Sequence, residues 1–220
     1  MSDLLRVALL GGLLGLDGTS VGQFMVSRPL VAGVLTGWVL GEPALGLAVG
    51  AILELYLLVS FPTGGSKFPE GSTATVVAVA AATSVQGTGA IPIAIGIGLV
   101  WGQLGGATVS ALRHVNSHLV PEDSDQIHAG TQLSRAHGFA IALDFVRGGA
   151  VTAMGTLVGR FVLLRTVDGW PVSDASSTGL LLVGGAVSAG ILLHDLGGFR
   201  RRRLWFAAGI ALGIIGTRFL

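Results

Sequence analysis

The chain contains no cysteine. That excludes disulfides, thiolate metal sites and a cysteine nucleophile. It is also poor in charge. Charged residues make up 11% of its 220 residues, against roughly 25% in an average soluble domain. Of 13 basic residues Lys67 is the single lysine; the others are arginine. A chain of this length could form one or two soluble domains, but so few charges could not solvate their surface. Disorder is excluded as well, because it requires low hydrophobicity and high charge. With only 7 prolines and no strict three-residue glycine period, the chain is not collagen-like. A net charge of +1 provides no field for nucleic acid, so no nucleic-acid partner is expected.

What is abundant points one way. Hydrophobic residues reach 51% and mean hydropathy is +0.76. Glycine supplies 36 residues, against a usual share of about 7%. The fold expected is all-α: a polytopic membrane protein, one membrane domain over residues 1–220, resting in a lipid bilayer.

A spanning helix needs about 20 mostly apolar residues. The N-terminal run from Leu4 to Leu16 lacks a clean cleavage site and is expected to be the first membrane segment. Asp17-Gly18-Thr19-Ser20 interrupts it. Residues 29–60 are apolar apart from Gly41-Glu42-Pro43. The two halves predict broken helices or a re-entrant hairpin, tolerated at membrane depth only where protein or a polar cavity covers their ends. Further apolar runs lie at 72–86, 90–112, 138–164, 178–193 and 204–219. Six to eight membrane segments are expected, several of them broken. The hydrophilic segment 113–135 and the four arginines at 200–203 are separated by two spans, and the arginine bias places both on the cytoplasmic side. The arginine cluster is read as a topology and anionic-lipid signal.

Glycines repeat at i, i+4 in six places, including Gly33-x-x-x-Gly37-x-x-x-Gly41, Gly46-x-x-x-Gly50, Gly98-x-x-x-Gly102-x-x-x-Gly106 and Gly209-x-x-x-Gly213. That spacing stacks them on one helix face and lets backbones approach. Close packing within one chain is the expected use, and a homo-oligomer remains open.

An ionisable group in a membrane segment costs about 2.5–3.5 kcal/mol on insertion scales, so each needs a partner or a function. Asp17 sits where the first helix breaks, with Gln23 and Arg28 following before Pro29. Glu54 lies deep in an apolar run. Such carboxylates and amides suit sugar hydroxyls, a cation or a proton relay; for Glu54 the structural alternative is a pair with Arg28 or Lys67. Asp144 and Arg147 stand three apart and are expected to pair on one helix face. His114 and His118 have a metal-compatible spacing but lie among other charges, and a solvated face is expected. No phosphate-cradling motif or hydrolase signature occurs. No cofactor and no metal are expected.

The stretch from Gln23 to Leu55 carries a specific order of signals: Arg28-Pro29-Leu30-Val31-Ala32, Gly37-Trp38-Val39-Leu40-Gly41-Glu42, then Gly50-Ala51-Ile52-Leu53-Glu54, with Pro69-Glu70 beyond. It resembles the IIC membrane subunit of the mannose/fructose/sorbose family of bacterial phosphotransferase-system (PTS) sugar transporters. Beyond residue 72 the likeness rests mainly on hydropathy and on Phe145-Val146-Arg147-Gly148. The resemblance implies a multi-pass subunit of the cell inner membrane that binds and moves a sugar together with a IID membrane subunit. Cytoplasmic IIA and IIB components would carry the phosphate, and no phosphoryl-transfer residue is expected in this chain. It implies a substrate site at Gln23, Glu54 and, more loosely, Glu70. The chain departs from the family pattern at Gly22, Met25, Ser27 and Pro62; Asp17 is the candidate replacement for the acidic residue missing at Gly22. Those departures motivate an alternative, a transport-inactive anchor or regulatory subunit of a phosphotransferase-related complex. A third reading is an ion-coupled carrier using Asp17 and Glu54.

Overall fold

A computed structural model describes residues 2–60, 67–119 and 129–216. These form eight α-helices and no strand. In chain order they are α1 (Asp3–Thr19), α2 (Pro29–Leu40), α3 (Pro43–Tyr56), α4 (Gly71–Ala82), α5 (Ala90–Ser117), α6 (Ala129–Thr166), α7 (Asp174–Asp195) and α8 (Phe199–Gly216). The protein is a polytopic helical membrane protein. Among the described residues, α5, α6 and α7 are long and apolar enough to cross a membrane, whereas α2, α3 and α4 are shorter apolar helices.

Local chemistry explains the breaks. Pro29 and Pro43 open α2 and α3, where a missing N–H costs nothing and the fixed φ favours the helix. Gly41 closes α2 with φ +84°, a left-handed cap that glycine adopts without penalty. Only Glu42 then separates α2 from α3, so the two fold back as a hairpin. Gly33 and Gly37 face Gly46 and Gly50 across it. A Cβ on Gly33 would lie 2.7 Å from Gly50 Cα, and one on Gly46 would lie 2.8 Å from Gly37 Cα. The two ladders therefore pack backbone to backbone inside one chain.

At the centre stands α4. Every residue from Ser72 to Ala82 is buried. Its sequence, Gly-Ser-Thr-Ala-Thr-Val-Val-Ala-Val-Ala-Ala-Ala, has no long side chain and no charged face. That suits a helix covered on all sides, and α1, α2, α3, α5 and α6 all pack on it. With 12 residues it is about 18 Å long, well short of a bilayer's ~30 Å core. Its ends are held from within. Glu70 N–H donates to the Gly102 carbonyl at 2.8 Å and the Glu70 carboxylate meets Arg147 of α6. At the other end Arg160 Nε, also of α6, donates to the Ala80 carbonyl at 3.0 Å. Helix α5 lies close because Gly98 and Gly102 face Ala74; a Cβ on Gly98 would lie 2.6 Å from the Ala74 carbonyl oxygen.

Helix α1 packs along α6 in the same way, with Gly11 and Gly12 against Thr152 and Phe145 and Gly148 against Gly11. The exception is the last ladder: nothing approaches within 4 Å of a Cβ on Gly209. Helix α8 packs on α7 and exposes Leu204, Trp205, Leu212 and Ile214.

Within the polar segment 113–135, α5 runs on to Ser117 and α6 begins at Ala129. The arginines at 200–203 sit inside the first turns of α8. Charged residues therefore extend these helix ends beyond the apolar runs of the sequence. Glu122, Asp123, Asp125, His128 and Pro62 lie outside the described residues.

Candidate functional site

The broken helices share one end. Here α1 finishes, α2 and α4 begin, and α3 has just ended. Gly71 touches Pro29: a Cβ on it would lie 3.2 Å from the proline ring. A small cleft of about 70 Å³ opens at this junction and is partly open to solvent. Its walls include Thr19, Ser27, Arg28, Ser60, Glu70 and Ser72. Two helix N-termini next to each other bring unpaired N–H groups and a positive end to one place. Carboxylates gather accordingly.

Glu54 serves α2. Its carboxylate accepts from the Arg28 guanidinium, Nε at 2.8 Å and Nη2, and from the Leu30 N–H at 3.2 Å. Of the two partners open to Glu54 in the sequence, the structure selects Arg28. The pair is about one-fifth exposed on each side, so it is partly open rather than sealed.

Glu70 serves α4 and is almost wholly buried, with 4% exposure. One guanidinium engages each of its oxygens once: Arg147 Nη2 donates to Oε1 at 2.8 Å and Nη1 to Oε2 at 2.9 Å. Arg147 also donates from Nε to Asp144 at 2.9 Å and from Nη1 to the Thr108 hydroxyl at 3.1 Å. The expected Asp144–Arg147 pair is therefore present, but it is part of something larger. The other Asp144 oxygen accepts from the hydroxyls of Thr19 and Ser20, where α1 ends. One arginine and one aspartate thus tie together the ends of α1 and α4, the middle of α5 and α6. Gly15 and Gly105 leave room for this cluster; a Cβ on Gly105 would lie 2.6 Å from Glu70 Oε2.

Asp17 and Gln23 are placed differently. Asp17 lies in the last turn of α1 and its carboxylate accepts from the N–H groups of Phe24 and Ser27, each at 2.7 Å. It organises the α1–α2 loop, where Gly22, Gln23 and Met25 have positive φ of 85°, 52° and 65°. For Gln23 and Met25 that conformation is strained. The Gln23 side chain is exposed on this loop, beside Phe24 at 78% and Met25 at 63% exposure, and it is apart from the cleft walls. Of the four sequence candidates, the structure puts Glu70 in the wall, Glu54 behind Arg28 in the wall, Asp17 beneath the loop that carries Ser27, and Gln23 outside.

Sequence reasoning missed the link between Glu70 and Arg147. They stand 77 residues apart, and no local spacing reports such a pair. It also missed Thr108 and the wall hydroxyls of Ser60 and Ser72, which carry no pattern. Among the described residues no group of three or more metal-ligating side chains is present. His114 and His118 stack edge to face with ring centroids 4.9 Å apart.

Comparisons with known proteins identify the fold and the family. Two solved structures share the fold. One, described as a membrane protein, superposes with a TM-score of 0.72 at 18% identity, covering 99% of this chain and 92% of that one. The other, the mannose transporter ManYZ in complex with microcin E492, superposes with a TM-score of 0.53 at 19% identity, with the same coverages. No curated protein sequence matches. The family description "PTS system sorbose-specific IIC component" matches residues 2–195, which spans every helix that builds the cleft, and the chain belongs to that family.

Proposed function

We propose that this IIC subunit binds a sugar in the cleft between the starts of α2 and α4 and carries it across the membrane. The observation that supports this reading is the cleft itself. A sugar presents hydroxyls that both donate and accept. The wall offers acceptors at Glu70 and Thr19 and further hydroxyls at Ser27, Ser60 and Ser72. Two adjacent helix starts, in helices too short to span, supply further N–H donors. Irregular backbone at membrane depth is sustainable where it lines such a cavity. Arg28 is held against Glu54, which keeps the guanidinium at the wall and caps the first turn of α2.

In this reading the protein is a multi-pass component of the cell inner membrane and works beside a IID membrane subunit. Phosphoenolpyruvate-derived phosphate reaches the sugar through cytoplasmic IIA and IIB components, and this chain is not itself phosphorylated. Self-association into a homo-oligomer is compatible with the exposed apolar faces of α7 and α8.

The test is Glu54→Gln in the complex reconstituted with IID, IIA and IIB. The amide keeps the shape but weakens the grip on Arg28. Binding and uptake of labelled sorbose and mannose fall, while IID still co-purifies. Unchanged uptake removes Glu54 from the site. An unaltered complex that assembles but takes up none of the PTS sugars offered would instead favour the transport-inactive anchor.

A further inference from the structure

We infer that Arg147 and Asp144, neither of which lines the cleft, are positioning residues for the substrate site. The inference rests on the reading of the cleft as the sugar site. A carboxylate has about four lone-pair directions. Arg147 occupies one on each Glu70 oxygen, as a planar fork. This fixes the plane of the Glu70 carboxylate and leaves a second lone pair on each oxygen for hydroxyl donors. The same guanidinium turns its Nε to Asp144, and Asp144 in turn holds Thr19 and Ser20. Glu70 and Thr19 are walls of the cleft. Two wall residues from different helices are therefore set by one guanidinium–carboxylate pair behind them, 9% and 1% exposed.

The geometry is specific to arginine. A lysine ammonium is a point charge that cannot make two parallel bonds to Glu70 and a third to Asp144. Arg147→Lys retains the charge and loses the fork. Asp144→Asn retains the shape and can still accept from Arg147 Nε, but turns an acceptor into a donor toward Thr19 and Ser20. A residue that only stabilised the fold would tolerate charge-preserving or shape-preserving changes without a selective effect on substrate affinity.

Two readouts on the reconstituted complex test this. In the first, the KM for labelled sorbose and mannose rises about tenfold in Arg147→Lys and in Asp144→Asn, the scale of one lost charge-assisted contact. Maximal rate stays within about twofold and IID still co-purifies. A lower maximal rate at unchanged KM, in complexes that assemble normally, overturns the inference. The second readout does not depend on transport. Because the chain has no cysteine, Ser27→Cys supplies a single thiol in the cleft wall. Its reaction with a water-soluble maleimide speeds up when Arg147→Lys or Asp144→Asn is added, because the walls are no longer held. Equal labelling rates with and without those substitutions also overturn it. If the unaltered complex takes up no sugar while labelling still depends on Arg147, the transport reading fails and the positioning of the walls stands. If Arg147→Lys does not assemble, Asp144→Asn decides both readouts.

Discussion

Two ion pairs flank the same cleft, and their surroundings differ. On the hairpin side, Arg28 and Glu54 join α2 to α3, each about one-fifth exposed. On the bundle side, Arg147 joins Glu70 and Asp144 under cover, with exposures of 9%, 4% and 1%. The first pair links two helices already adjacent in sequence, 26 residues apart. The second spans 77 residues and reaches four helices once its hydroxyl partners are counted. Exposed pairs contribute little to stability, because water competes for both charges. Breaking a buried pair leaves a charge with no solvent and no partner. The hairpin pair can therefore be disturbed at small cost, whereas the bundle pair holds shape.

Removing a buried partner draws the sharpest line between the two. Arg147→Ala leaves Glu70 and Asp144 buried together without a cation, and should cost about 3–5 kcal/mol. The purified complex should melt at a markedly lower temperature or fail to assemble; a melting curve like that of the unaltered protein would erase the distinction. Next in size is the hairpin's own seam. Gly33→Val pushes a branched side chain into the backbone of Gly46 and Gly50, at a cost of about 1–3 kcal/mol from overpacking. A lower melting temperature is the expected result, and it would show that the hairpin is held by its glycines more than by its ion pair. Glu54→Gln should be milder still, lowering stability by about 1 kcal/mol or less while uptake falls. If its melting temperature drops as far as that of Arg147→Ala, the hairpin pair is structural after all. The smallest effect belongs to Gly209→Ala. Nothing lies near the added methyl, so the same thermal melt should hardly move; a large loss would reveal a packed neighbour of α8.

The punctuation of the fold could be read from the chain. Pro29, Gly41 and Pro43 set the hairpin, and the ladders Gly33/Gly37 and Gly46/Gly50 announced a close seam. Asp144 and Arg147, one turn apart, were legible as a pair. Glu54 had to find a partner, and Arg28 was one of two choices. What stayed hidden was which apolar helix goes inside. Helices α4 and α8 are both apolar, yet α4 is buried throughout and α8 faces outward. Lipid is as apolar as a protein core, so hydropathy carries no contrast between the two positions. The small side chains of α4 were the only hint. Glu70 found Arg147, and Arg160 found the Ala80 carbonyl, through contacts made only after the helices dock. Gln23 was marked by its neighbours in sequence, but three positive φ values in that loop turn its side chain outward.

The two arginines of α6 that meet opposite ends of α4 have a consequence for how such a chain can change. Arg147 and Arg160 are 13 positions apart, about 20 Å along a helix axis, close to the ~18 Å length of α4 itself. Helix α6 is in effect a gauge cut to the length of its neighbour. Inserting one residue between the two arginines would turn the second by about 100° and move it off the Ala80 carbonyl. The same insertion in the turn after Ala82 would disturb neither. Gains and losses of length should therefore be absent from 147–160 and from α4 unless both change together, and a designed insertion in α6 should be rescued only by a matching one in α4.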